Sequence, residues 1–87
     1  MTYQRNSNMD YTQLDEVSIV VFDPESGTTH LFDDSSTEIV SMLEEPHEIE
    51  TLITKLSELY DASTETIKTD TQEFINHLIT LNVVLTA

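Results

Sequence analysis

The stretch from Val17 to Phe32 constrains this chain more than any other. Val17-Ser-Ile-Val-Val-Phe22 is nearly continuous apolar and β-branched, the pattern of a strand. Asp23-Pro24-Glu25-Ser26-Gly27 then forms a turn for stated reasons. Proline presets a negative φ, and Gly27, the only glycine in the chain, takes a positive one. Thr28 to Phe32 returns as the second arm. Side chains alternate along it, so Thr28, His30 and Phe32 share one face and Thr29 and Leu31 the other. A two-stranded hairpin is not stable alone. It needs a helical layer beneath its apolar face, and its outer arm leaves the sheet with an edge.

The rest of the chain supplies that layer. Ser35-x-x-Glu38 fits a capping box and predicts a helix from near Ser36 or Thr37, with Ile39, Val40, Met42 and Leu43 on its buried side. Pro46 ends this helix or opens the next. Ile49, Leu52, Ile53, Leu56, Leu59 and Tyr60 recur three and four apart, one apolar stripe of a second helix. Ser63 suits the N-cap of a third helix carrying Ile67, Thr71, Phe74, Ile75, Leu78 and Leu81. The four threonines between Thr64 and Thr71 lower its intrinsic helicity, so it starts either near Ser63 or near Asp70. Asn82 is a helix terminator, and Val83-Val84-Leu85 packs as a strand or as coil. Upstream, Tyr11 to Leu14 forms a short first strand, and residues 1–9 are polar and flexible. The expected fold class is α+β: a small antiparallel hairpin or three-stranded sheet followed by three helices. Residues 10–87 form one domain, with the hairpin resting on the first and third helices.

Charge narrows the function. The 87 residues hold 17 acidic and three basic side chains, a formal net charge of −14. A nucleic-acid binder needs Lys or Arg facing phosphates. Only Arg5, Lys55 and Lys68 are available, so no nucleic-acid partner is expected. An anionic membrane surface would repel the chain as well. No apolar run approaches the roughly 20 residues that span a bilayer, and the first nine residues lack a signal-peptide core. The absence of cysteine excludes disulfides and thiolate chemistry and suits a cytoplasmic protein.

Nothing in the sequence has the form of a catalytic or metal site. His30, His47 and His77 are far apart and lack metal-ligand spacing. His30 reads as a half-exposed strand residue, and His47 and His77 as solvated helix residues. Asp33-Asp34 and Glu44-Glu45 read as helix flanks in water. Asp33-Asp34 lies where a helix N-terminus favours negative charge, and Glu44-Glu45 where a helix C-terminus does not. No serine or threonine sits in a nucleophile turn, and one glycine cannot build a phosphate loop. No enzyme activity, cofactor or metal is expected.

The order Val-Val-Phe-Asp-Pro-Glu-Ser-Gly-Thr-Thr-His-Leu-Phe-Asp-Asp-Ser-Ser-Thr-Glu-Ile-Val resembles the start of PqqD-like peptide-chaperone domains, the RiPP recognition elements. It is most similar to their HPr-kinase-related subgroup (HPr-rel-A). The later run Phe74-Ile75-x-x-Leu78-x-x-Leu81-Asn82-Val83-Val84 matches too, with Asn82 where the family usually has glycine. The resemblance spans roughly residues 15–85. It implies a winged helix-turn-helix-like domain that takes a leader peptide as an added strand. Carried onto this chain, the docking edge would be Thr28, Thr29, His30, Leu31 and Phe32. The helix wall would come from Ile75, Leu78, Ile79 and Asn82. The implied partners are a peptide or protein substrate and a modifying enzyme of HPr-kinase-related or radical-SAM type.

The physics of strand addition does not depend on the family: backbone bonds give affinity and alternate side-chain pockets give specificity. Natural edges are usually blunted by charge or proline, and Thr28 to Phe32 carries neither. An open edge is compatible with a monomer or an edge-paired dimer. Two other readings compete. A winged-helix DNA-binding regulator shares the layout, but its third helix would hold only Lys68 against Glu65, Asp70 and Glu73. An acidic inhibitor or DNA mimic covering a basic protein suits the charge.

Overall fold

The computed structural model describes residues 1–86 and, within them, every side chain except that of Ser35. Three strands form the main sheet in the order β2 (Asp10–Gln13), β3 (Ser18–Asp23) and β4 (Thr28–Asp33), all antiparallel. Thus Tyr11 to Leu14 belongs to a strand, shifted by one residue. The hairpin turn forms as the sequence predicts. Gly27 has φ 76° and donates its N–H to the Asp23 carbonyl at 2.8 Å. The Asp23 carboxylate accepts the Glu25 N–H at 2.9 Å. Slight desolvation pushes the pKa of Asp23 up, but hydrogen bonds from Ser26 and from the Glu25 and Ser26 N–H groups hold it below the ordinary carboxylate value.

Three helices follow: α1 (Ser35–Met42), α2 (Ile49–Leu59) and α3 (Thr64–Thr80). The start of α1 is held differently from the expected capping box, whose Ser35 side chain lies outside what is described. Asp34 is its N-cap, with φ 52° and no side-chain cap bond. Thr37, buried, donates its hydroxyl toward the Val17 carbonyl at 2.8 Å and the Phe32 carbonyl at 3.0 Å, which ties the helix to the hairpin. The third helix takes the early start: Ser63 Oγ accepts the Thr66 N–H at 3.1 Å. One satisfied N-cap outweighs the weak helicity of the threonines behind it. At the other end Asn82 adopts φ 62°, as expected of a terminator.

The N-terminus corrects the sequence reading. Thr2–Arg5, read from the sequence as part of a flexible segment, forms β1, the central strand of a second sheet in the order β5 (His47–Glu48), β1, β6 (Val84–Thr86). Tyr3 and Met9 are buried in the core, which supplies the apolar anchorage that the polar sequence around them hides. The Val83–Leu85 tail is accordingly a strand from Val84 onward. The core lies between the two sheets and the helices. It joins Ile19, Val21 and Phe32 to Val40, Leu43, Leu52, Ile75 and Leu78. The stripe of α2 fades at its end, because Leu59 and Tyr60 are exposed.

Tyr11 links the two sheets. Its hydroxyl accepts the Asn6 N–H at 3.0 Å and donates to the Val83 carbonyl at 2.7 Å, and the Arg5 guanidinium lies 4.4 Å from its ring centroid. Burial raises the pKa of the phenol above 10.0, partly offset by the Asn6 hydrogen bond and by Arg5. The folded protein therefore holds this proton more tightly than the unfolded chain does. That stability is whole below about pH 10 and is lost as pH rises through the folded value. Tyr11→Phe removes these hydroxyl bonds, but the Asn6 N–H still donates to the Val83 carbonyl at 3.0 Å, so the change should cost about 0.5–1.5 kcal/mol. Urea unfolding at neutral pH reads the loss, and the variant should lack the part of the alkaline decline that Tyr11 causes.

Candidate functional site

The main sheet has its longest free edge at β4, with six residues against four in β2. The direction of each β4 backbone group follows from one bond. Asp34 N–H donates to the Val17 carbonyl at 2.9 Å. Bonded and non-bonded pairs alternate along an antiparallel ladder. In register with Val17 and Asp34, the bonded pairs are Ile19–Phe32, Val21–His30 and Asp23–Thr28. The Leu14 N–H to Ser18 carbonyl bond gives the complementary set on the β2 side of β3. The backbone groups of Thr28, His30 and Phe32 are therefore spent on β3. Those of Thr29, Leu31 and Asp33 face outward, free to receive a strand.

The position of α3 beneath this edge follows from two contacts. Phe32 of β4 meets Phe74 edge to face, with ring centroids 5.8 Å apart. Tyr11 of β2 reaches Val83, just past the end of α3. The helix thus runs under the sheet from the β4 side towards the β2 side. Phe74 thus marks where α3 meets β4, and the N-terminal half of the helix leads away from that contact.

A hollow of about 350 Å³ lies among the start of α1, the end of α2 and the N-terminal half of α3, next to the end of β4. Ile39, Ile67, Thr71 and Phe74 line it, and Asp34, Asp70 and Tyr60 contribute polar groups to its walls. A larger cleft of about 950 Å³ runs between α2 and α3, past Ile49, Ile53, Lys68 and Gln72. The smaller hollow includes Asp34, the residue after β4, and Phe74, which touches Phe32 of β4, so it is the better candidate. His30 is half-buried and stacks on Phe32 at 6.3 Å between ring centroids, consistent with a strand residue on the helix-facing side.

The residues expected to form the helix wall separate into three groups. Ile75 and Leu78 are 0% exposed and belong to the core. Ile79 is partly buried. Helical periodicity puts it on the flank of α3 shared with Lys68 and Gln72, facing the α2 cleft, whereas Asp70 and Phe74 lie on the flank toward β4. Asn82 lies past the helix end, where its carbonyl accepts the Asn6 side-chain amide at 2.8 Å. Around the hollow the structure sets Ile67, Asp70, Thr71 and Phe74 of α3, and Ile75, Leu78, Ile79 and Asn82 do not line it. Ile67, Asp70, Thr71 and Phe74 were missed as lining residues. Phe74, an aromatic on the flank of the stripe, was the available signal. Among the described residues, no group of three or more His, Asp or Glu could hold a metal ion, and no helix is long and apolar enough to cross a membrane.

No curated protein matches this chain. Two solved structures match its fold. One is "TbiB1 in Complex with the TbiA(beta) Leader Peptide", with TM-score 0.87, 20% identity and 93% of each chain covered. The other is "Lasso peptide synthetase B1 complexed with the leader peptide", with TM-score 0.83, 18% identity, and 95% of this chain and 96% of that one covered. The family model described as Coenzyme PQQ synthesis protein D (PqqD) matches residues 18–84, from the first residue of β3 to the first of β6. The hairpin, all three helices and the groove between them fall inside that span, and this chain belongs to the PqqD family.

Proposed function

We propose that this chain is a non-catalytic recognition module that takes an extended peptide as a strand added to β4 and presents it to a modifying enzyme. The observation that carries this reading is the open β4 edge, whose Phe32 touches Phe74 at the rim of the hollow on α3. The outward backbone groups of Thr29, Leu31 and Asp33 supply main-chain bonds. The apolar floor of Ile67 and Phe74 takes a side chain of the peptide. This division of labour is that of strand addition generally. The two structural neighbours, each described in complex with a leader peptide, support the same reading. A cysteine-free chain of this kind suits work in the cytoplasm.

Charge weighs against DNA. Lys68 is the only Lys or Arg on α3, beside Glu65, Asp70 and Glu73, so the helix has little to offer a phosphate backbone.

The test is titration of isotope-labelled protein with synthetic precursor peptides encoded near its gene. Saturable amide shifts are expected at Thr29, Leu31 and Asp33 and along Ile67 to Phe74, with little change at Ile79 and Asn82. Shifts confined to the α2–α3 cleft, or none with any such peptide, would defeat the proposal.

A further inference from the structure

The outward face of the main sheet breaks the pattern its strands otherwise follow. An antiparallel sheet with one solvated face normally alternates apolar inward and polar outward. Here the outward set of β3 includes Val20 and Phe22, and that of β4 includes Leu31. Val20 lies directly opposite Leu31, and Phe22 is the next outward residue of β3. Leu14, just past β2, extends the same face. Leu31 is 64% exposed, Leu14 58% and Phe22 38%. Scattered exposed apolar residues are ordinary, but adjacent ones on neighbouring strands form a patch.

The charge around this patch has one sign. Residues 10–33 contain Asp10, Asp15, Glu16, Asp23, Glu25 and Asp33 and no Lys or Arg. Asp10 sits opposite Phe22, and Asp33 is the next outward residue after Leu31. Arg5 is turned to Val40 and Tyr11, and Lys55 and Lys68 belong to α2 and α3.

We propose that this face docks a second protein whose contact surface has an apolar centre ringed by lysine and arginine. Another copy of this chain fits badly. An isologous pair would set Asp10 and Asp33 against their own kind, between chains that each carry −14. An anionic membrane is repelled for the same reason. The face is separate from the peptide edge: side chains of Phe22 and Leu31 form one, outward backbone groups of β4 the other. The docking proposal therefore does not depend on peptide binding.

The test uses two synthetic amphipathic helices that share one leucine face and carry either lysine or glutamate along its flanks. The lysine-flanked helix should bind, perturbing Thr12, Val20, Phe22 and Leu31, and the glutamate-flanked one should not. Phe22→Thr with Leu31→Thr preserves net charge and strand propensity and should weaken binding about tenfold or more, the scale of an interface hot spot. Leu31→Thr alone, at an exposed edge position, should give part of that loss if the pair fails to fold. Asp10→Asn with Asp33→Asn should slow association and flatten its salt dependence.

Unchanged affinity in the threonine variants would mean charge attraction alone and overturn the proposal. So would equal binding of the glutamate-flanked helix, or concentration-dependent dimers in sedimentation that the threonine variants abolish. Leu31→Pro separates the two sites when compared with Leu31→Thr: both lose the leucine and should weaken the lysine-flanked helix alike, but only the proline should block an added peptide strand.

Discussion

Leu31→Pro should weaken strand addition about tenfold or more while leaving the domain folded. Proline removes one backbone N–H and puts a ring in its place. At Leu31 that N–H faces the open side of β4, because the bonded pairs with β3 fall at Thr28, His30 and Phe32. Proline is tolerated in a strand at such edge positions and nowhere deeper. An incoming strand loses at least one main-chain bond, about 0.5–1.5 kcal/mol net, and meets the ring. Peptide affinity should fall about tenfold or more. His30→Pro makes the contrast, since it removes a bond inside the β3–β4 ladder and should lower the melting temperature. Peptide titration and thermal melts of both variants read the two effects separately. A Leu31→Pro protein that folds and binds with unchanged affinity would show that the peptide does not pair with β4.

The hairpin, its turn and the capped third helix were legible in the sequence because their signals are local. Gly27, Ser63 and Asn82 each sit where a backbone angle or an unpaired N–H demands a particular residue type. The second sheet was not legible. It brings Tyr3 beside His47 and Thr86, partners far apart in the chain, and β5 is two residues long. Such a strand has no period to detect. The groove was half legible. Alternation put Thr29 and Leu31 on one face of their arm, but which backbone groups remain free depends on the register with β3. Helical periodicity identified the apolar stripe of α3, but a stripe does not say which end of the helix lies under which strand. The Phe32–Phe74 and Tyr11–Val83 contacts decide that, and both span long separations.

Separating wall from core also predicts how α3 substitutions divide. Leu78→Ala should cost about 2–5 kcal/mol, because Leu78 is fully buried and its loss leaves a cavity. Against the 5–15 kcal/mol that stabilises a typical domain, and in a chain of this size, that loss brings the protein close to unfolding. The fraction that stays folded should bind peptide with unaltered affinity, since Leu78 touches the core and not the hollow. Phe74→Ala should behave in the opposite way. Phe74 is only partly buried, and its edge-to-face pairing with Phe32 contributes about 0.5–1.5 kcal/mol beyond packing. Its stability cost should therefore be the smaller. Its effect on binding should be the larger, about tenfold, because the hollow loses the aromatic ring that joins it to β4. Ile79→Ala, on the flank facing α2, should leave affinity unchanged. Urea unfolding combined with fluorescence-anisotropy titration of a labelled peptide measures both quantities on each variant. Weaker binding in Ile79→Ala than in Phe74→Ala would move the site to the α2 side of the helix and return the wall to the C-terminal half of α3.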